Sequence, residues 1–143
     1  SIETPMHAEI YQKRPDVNAI VHVHSHYSTV FAVAHQSIPV VTEETAQVIG
    51  SEIEVAPYAT CGSPQLAENT VRTLGPHRAV LLANHGLVGV GKNVADALKV
   101  CTVAEKTAKI VLYAQQLGDV HSLLPADIAV LNESFQHYGQ KKK

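Results

Sequence analysis

The stretch Ala19-Ile20-Val21-His22-Val23-His24-Ser25 sets histidines at alternate positions directly behind an apolar run. Alternation with a period of two predicts a β-strand, on which residues two apart point to the same face. His22 and His24 would then aim two imidazoles at one point in space, half of a site for a divalent metal ion. His26 continues the alternation, but Ser25 and Tyr27 mark the end of the strand, and a pocket-edge or structural role is expected for it. An isolated pair of this kind serves equally well as a satisfied structural pair. The assignment therefore depends on what the rest of the chain brings to the same point.

Around that strand the patterning predicts a mixed α and β domain. Thr4 before Pro5 reads as the N-cap and first position of a short helix that Pro15 ends, with Met6, Ile10 and Tyr11 on one face. A helix over 28–36 starts near Ser25 or Ser28, and another covers 42–50. Residues 51–58 alternate as a second strand, and 58–75 read as a loop and a helix opened by Ser63-Pro64 and closed by Gly75. Two apolar runs, AVLLA and LVGV, flank Asn84-His85-Gly86, so a hairpin-like turn would leave His85 at the exit of a buried strand. The longest periodic segment, 92–118, is a helix with Val94, Leu98, Cys101, Ala108, Leu112 and Gln116 at approximate helical spacing. A last helix is expected over about 126–138, bounded by Pro125 and Gly139.

Composition excludes several function classes. The 143 residues suffice for one domain with a core and are too few for two of ordinary size. Eleven basic residues stand against thirteen acidic ones, and the only basic cluster is Lys141-Lys142-Lys143, expected as a solvated end. That balance lacks the electrostatic footprint of a nucleic-acid binder. No run approaches the roughly 20 apolar residues of a membrane span, so no membrane partner is expected, and no leader-type segment is legible. Cys61 and Cys101 are far apart and in no CxxC spacing, which argues against a thiolate zinc cluster and fits a reducing cytoplasm, the expected location.

Nine histidines are the unusual feature. A catalytic zinc site takes three protein ligands and keeps one position open. His85 is the best third ligand, because its Asn-His-Gly setting lifts a polar side chain out of an apolar strand. Glu3, beside the first helix, is the candidate carboxylate. His7 would donate a hydrogen bond behind the ligands or simply occupy its helix, and His35, His77, His121 and His137 have ordinary helix-end or loop explanations. Cys61 reads as an inert small hydrophobe and Tyr138 as a packed aromatic. An ion held by neutral imidazoles keeps its positive charge and can polarise a carbonyl or stabilise an enediolate. Aldol cleavage, epimerisation, dehydration and metal-assisted hydrolysis all remain open on that chemistry.

The strings SIETPMHAEIYQKRPDVNAIVHVHSHYSTVFA, IPVV, APYATCG, LLANHG and HYG, in this order and spacing, resemble the class II aldolase/adducin family, with the strongest likeness to its L-fuculose-phosphate aldolase branch. The likeness runs from Ser1 to about Gly139. It implies an α/β fold of three layers, with a central, mainly antiparallel sheet flanked by helices, assembled as a homotetramer with active sites between subunits. It implies one zinc ion on His22, His24 and His85, with Glu3 as fourth ligand and as the proton-transferring acid or base once substrate arrives. The implied reaction is retro-aldol cleavage of a ketose 1-phosphate, a small sugar phosphate, to dihydroxyacetone phosphate and an aldehyde. Tyr138 in HYG, supplied by a neighbouring subunit, matches the residue that exchanges a proton with the aldehyde oxygen.

The chain also departs from the family pattern. The family's N-terminal portion, with much of its phosphate-binding loop, is not matched, so a single, N-terminally incomplete domain over 1–143 is expected. Ser1 matches a phosphate-contacting serine, and Ile2 replaces a second one. Glu43 and Cys61 stand where the fuculose-phosphate enzyme has aromatic residues at the aldehyde end of its pocket. The acidic pattern of the pentulose-5-phosphate 4-epimerases is not reproduced, which favours an aldolase over an epimerase or a related dehydratase. A non-enzymatic, adducin-like interaction domain has no need of three imidazoles and a carboxylate together.

Overall fold

A computed structural model describes residues 1–138; the expectations at Gly139 and for the Lys141-Lys142-Lys143 tail lie outside the described residues. Four strands form one sheet: β1 (Ala19–Val23), β2 (Val55–Ala56), β3 (Ala79–Leu82) and β4 (Gly86–Gly91), in the order β1-β4-β3-β2. Six helices complete the chain: α1 (Thr4–Lys13), α2 (His26–Ala34), α3 (Glu43–Val48), α4 (Pro64–Leu74), α5 (Val94–Leu117) and α6 (Pro125–His137).

β4 runs antiparallel to both of its neighbours, whereas β2 is parallel to β3. The sheet is therefore mixed, which corrects the expectation of a mainly antiparallel one. The cause is α4, which joins β2 to β3 as a crossover and so returns the chain in the same direction. β1, β2 and β3 consequently share one direction, and the segments that follow all three emerge at one end of the sheet.

Period-two alternation assigns the two faces. Leu81, Leu87 and Ala79 face a core made with Phe31 and Ala32 of α2, Val48 of α3 and the inner side of α5. Val80, Leu82, Val88 and Val90 face a second core with Met6 and Ile10 of α1 and Leu66, Ala67 and Leu74 of α4. Three layers result, helices on sheet on helices. On β1, Val21 and Val23 pack toward the first core and Ile20 toward the second, so His22 and His24 lie on the α1 and α4 side. α6 lies outside the layers against α3, where Asn132 Nδ2 donates to the carbonyls of Ala46 and Gln47 at 3.2 and 3.1 Å.

Several local expectations change in the tertiary setting. The N-cap of α1 is Glu3, not Thr4, and its side chain makes no cap bond because it turns elsewhere. Tyr11 is exposed, while Met6 and Ile10 are buried. Of residues 51–58 only Val55 and Ala56 are strand, with Ile53 paired to Ile38 in an isolated bridge. The inner face of α5 is Ala97, Val100, Cys101, Ala104, Thr107, Ala108 and Val111, whereas Val94 and Leu98 are 68 % and 51 % exposed and Gln116 is also exposed. Small alanines decide that face, because they let a 24-residue helix lie close on the sheet.

Gly89 makes the same approach from the other side. A Cβ there would sit 2.6 Å from Cys101 Sγ and 3.0 Å from the Ala97 carbonyl oxygen. Gly89→Ala is expected to destabilise the protein by about 1–3 kcal/mol through overpacking. A lower urea midpoint at unchanged denaturant slope would show it.

Candidate metal centre

The site forms where β1 and β3 end. His22 is paired in register with Val88 of β4, and Leu87 stands opposite Val23. The His22 ring hydrogen-bonds through Nδ1 to the Leu87 carbonyl at 2.9 Å, and since a carbonyl only accepts, Nδ1 carries the proton. Nε2 is thereby left with a free lone pair pointing out of the sheet.

His85 arrives on the turn between β3 and β4. Asn84 holds a left-handed conformation there, with φ of 57°. Its backbone N–H donates to Ala32 at 3.2 Å, and its side-chain oxygen lies 2.6 Å from His35 Nε2 at the end of α2. The turn is thus tied to α2 on one side and to the sheet on the other. His35 is an ordinary helix-end residue in position, as expected, but its bond to Asn84 supports the turn that carries His85.

Three imidazole nitrogens converge. His22 Nε2 lies 3.0 Å from His24 Nε2 and 3.3 Å from His85 Nε2. Nitrogens sharing one tetrahedral zinc ion at the usual bond length are about 3.3 Å apart. Burial pushes the His22 and His85 imidazoles below their ordinary pKa, against the Leu87 bond to His22 and the Glu3 charge beside both. Neutral rings with inward lone pairs are the form that binds metal.

Glu3 completes the group from the start of α1. Its Oε2 is 4.0 Å from His22 Nε2 and its Oε1 3.9 Å from His85 Nε2. Burial alone would raise its pKa, but the Cys61 thiol and the three imidazoles hold it below the usual carboxylate value. Oε2 is buried and has no hydrogen-bond partner among the described residues. An orphaned carboxylate oxygen beside three convergent nitrogens is a donor set that fits a divalent cation. Cys61, read from sequence as inert, instead donates to Glu3 Oε1 at 2.6 Å.

Other candidates fall elsewhere. Ser1 is exposed, and its hydroxyl accepts from the Glu3 N–H at 3.3 Å. Tyr138 follows α6 and is 87 % exposed, with no side-chain hydrogen bond to the cluster. His26 opens α2 and, with His24, Val30 and Val33, lines an apolar recess of about 540 Å³ beside the imidazoles. His7 is half-buried on α1.

A further support was missed in the sequence. Glu105 of α5 accepts from the backbone N–H groups of Tyr27 and Ser28, at 2.8 and 2.9 Å, and so anchors the first turn of α2 immediately after the histidine strand. The available signal was a carboxylate beside the inward stripe of α5, one turn from Cys101 and Ala108.

Similarity to known proteins accords with this geometry. A family model described as the class II aldolase and adducin N-terminal domain matches residues 1–112. The chain belongs to the class II aldolase and adducin family. It is 36 % identical over 140 residues to an L-fuculose phosphate aldolase of Escherichia coli, covering 97 % of this chain and 65 % of that protein. It is also 36 % identical over 141 residues to a 5-deoxy-D-ribulose 1-phosphate aldolase of Bacillus thuringiensis, covering 99 % and 66 %. A solved L-fuculose 1-phosphate aldolase superposes with a TM-score of 0.92 at 36 % identity, covering 95 % of this chain and 64 % of that one. The chain thus spans about two thirds of the length of these relatives. Among the described residues no helix is long and apolar enough to cross a membrane.

Burial tends to raise the Glu105 pKa, but the Ser28 and Tyr27 amides hold the carboxyl below its ordinary value of 4.5. A lowered carboxylate contributes stability that is complete above that ordinary value and is lost as the pH falls through the native one. Glu105→Gln should therefore cost about 1 kcal/mol at pH 7, the scale of a lost helix cap. Urea titrations should show the gap from the parent protein closing as the pH falls below the ordinary carboxylate range.

Proposed function

We propose that this chain carries the metal centre of a zinc-dependent aldolase that cleaves a ketose 1-phosphate, of the L-fuculose 1-phosphate type, into dihydroxyacetone phosphate and an aldehyde. The observation that carries the reading is the convergence of three imidazole nitrogens at 3.0 and 3.3 Å, backed by a carboxylate whose inner oxygen has no partner. Family membership and the 1-phosphate named in the relatives support it.

His22, His24 and His85 would hold the ion, with Glu3 within reach of it. A bound zinc ion would supply a fixed positive charge that polarises a substrate carbonyl. The chain's own residues do the rest. The Leu87 carbonyl keeps His22 in the ligating tautomer. In the cleavage direction the C3–C4 bond breaks, its electron pair stays with C3, and Glu3, a carboxylate that must first take up a proton from solvent or substrate, delivers that proton to the carbon. In the reverse direction Glu3 removes it. Tyr138, contributed by a neighbouring copy in a homotetramer, exchanges the proton of the C4 oxygen, and its exposed position after α6 leaves it available for that. Ser1, beside the first turn of α1, contributes to phosphate binding. We take residues 1–143 as one domain of this enzyme.

The test uses the full-length, metal-loaded protein on a panel of ketose 1-phosphates and pentulose 5-phosphates. Aldehyde release from the 1-phosphates is expected, and an epimerised product without aldehyde would sink the aldolase reading. Glu3→Gln should retain zinc yet lose exchange of the dihydroxyacetone phosphate proton with solvent by at least about 100-fold, the scale of a general base. His22→Ala should lose zinc by elemental analysis, and activity with it.

A further inference from the structure

Two of the three imidazoles are held in different ways. His22 is fixed through Nδ1 by the Leu87 carbonyl, whereas among the described residues the His85 ring makes no hydrogen bond except the contact of its Nε2 with His22. The direction of the His85 ring is therefore set by the backbone of the turn that carries it. Gly86 lays one side of that turn on β1, where a Cβ would meet the Val23 carbonyl oxygen at 2.5 Å and His24 Cδ2 at 3.1 Å. The other side is Asn84, and it is held from the end of α2.

That helix end carries an unexpected residue. The Gln36 N–H donates to the Phe31 carbonyl at 3.0 Å and the His35 N–H to the Ala32 carbonyl at 3.4 Å, the pairing of a helix closed by a left-handed residue. Glycine is the ordinary occupant of such a position, because a side chain there crowds the backbone. His35 fills it instead, with φ of 53°. Among the described residues the other non-glycine residue with positive φ is Asn84, at 57°, and the two are bonded to each other, His35 Nε2 to Asn84 Oδ1 at 2.6 Å. The Ala32 carbonyl also accepts from the Asn84 N–H, at 3.2 Å. A histidine held where glycine would fit with less strain points to a task for its side chain.

We propose, on the reading of His85 as a ligand given above, that His35 is a positioning residue for the metal centre, which through Asn84 fixes the turn so that His85 Nε2 meets the ion. Without the His35 ring, Asn84 keeps its backbone bond to Ala32, but its side chain is released and the turn can rock about its contact with β1. The His85 nitrogen then leaves its place 3.3 Å from His22 Nε2 for part of the time, and the ion is held less tightly.

His35→Gly tells this role from a structural one, because it removes the ring, suits the left-handed backbone and leaves the turn itself unaltered. In the full-length protein, competition with a chelator should show zinc affinity about tenfold below the parent, the lower end of the scale on which groups behind a ligand act. The visible spectrum of the cobalt(II)-substituted protein should change as well. The urea midpoint of the metal-free protein should stay at or above that of the parent. Asn84→Gly should lower zinc affinity by a similar factor, and the His35→Gly/Asn84→Gly double variant no further, since the two side chains act as one unit. Parent affinity and spectrum in His35→Gly would overturn the proposal. So would losses that add in the double variant, or a loss of affinity accompanied by a lower urea midpoint. Each of these results leaves the aldolase reading standing, whereas parent zinc affinity in His85→Ala would show that His85 is no ligand and remove the basis for both.

Discussion

The antiparallel ladder between β1 and β4 is the constraint on which the site depends. It sets His22 opposite Val88 and brings the Leu87 carbonyl under the His22 ring. A slip of one residue would turn His22 and His24 to the α5 side and put Val21 and Val23 in their place. That slip is blocked by burial, because Val21 and Val23 pack on one core and Ile20 on the other. Apolar side chains thus hold the imidazoles on the correct face. The carbonyl under the ring then selects which nitrogen is free.

Direction matters as much as register. β1, β2 and β3 run the same way, so the chain leaving each of them reaches the same end of the sheet. His24 follows β1, Cys61 lies in the loop after β2, and His85 in the turn after β3. The parallel β2 is therefore more than a departure from the expected pairing pattern. It delivers the thiol loop to the imidazoles, and Gly62 lets that loop close on Ile2 and Glu3. On the opposite face, Gly89 and the alanines of α5 let the helix lie tightly enough for Glu105 to reach the first turn of α2.

Much of this was legible because it is local. Alternation marked β1, Ser63-Pro64 and Gly75 bracketed α4, and an apolar pair of runs marked the hairpin that holds His85. The misreadings share a cause, which is that a tertiary partner overrode a local preference. Thr4 looked like a cap, but the chain enters α1 through Glu3, whose carboxylate faces the imidazoles. Val94 and Leu98 looked like part of the inner stripe of α5 because they are apolar at helical spacing, yet the helix turns Ala97, Val100, Cys101, Ala104 and Ala108 to the sheet and leaves those two in solvent. Cys61 looked inert because nothing within its own loop indicates a carboxylate 58 positions away in sequence.

By itself the sequence determined which side chains can share a face, since a period of two along β1 or of 3.6 along a helix follows from backbone geometry alone. It determined that His22 and His24 can share one face, and that the turn before Gly86 carries a third imidazole. Only the tertiary structure decided that these rings meet, that the Leu87 carbonyl holds the His22 proton, and that Glu3 faces a thiol as well as the imidazoles. Those contacts join segments some sixty residues apart, whose separation the sheet order and the parallel crossover set, and no local pattern records either.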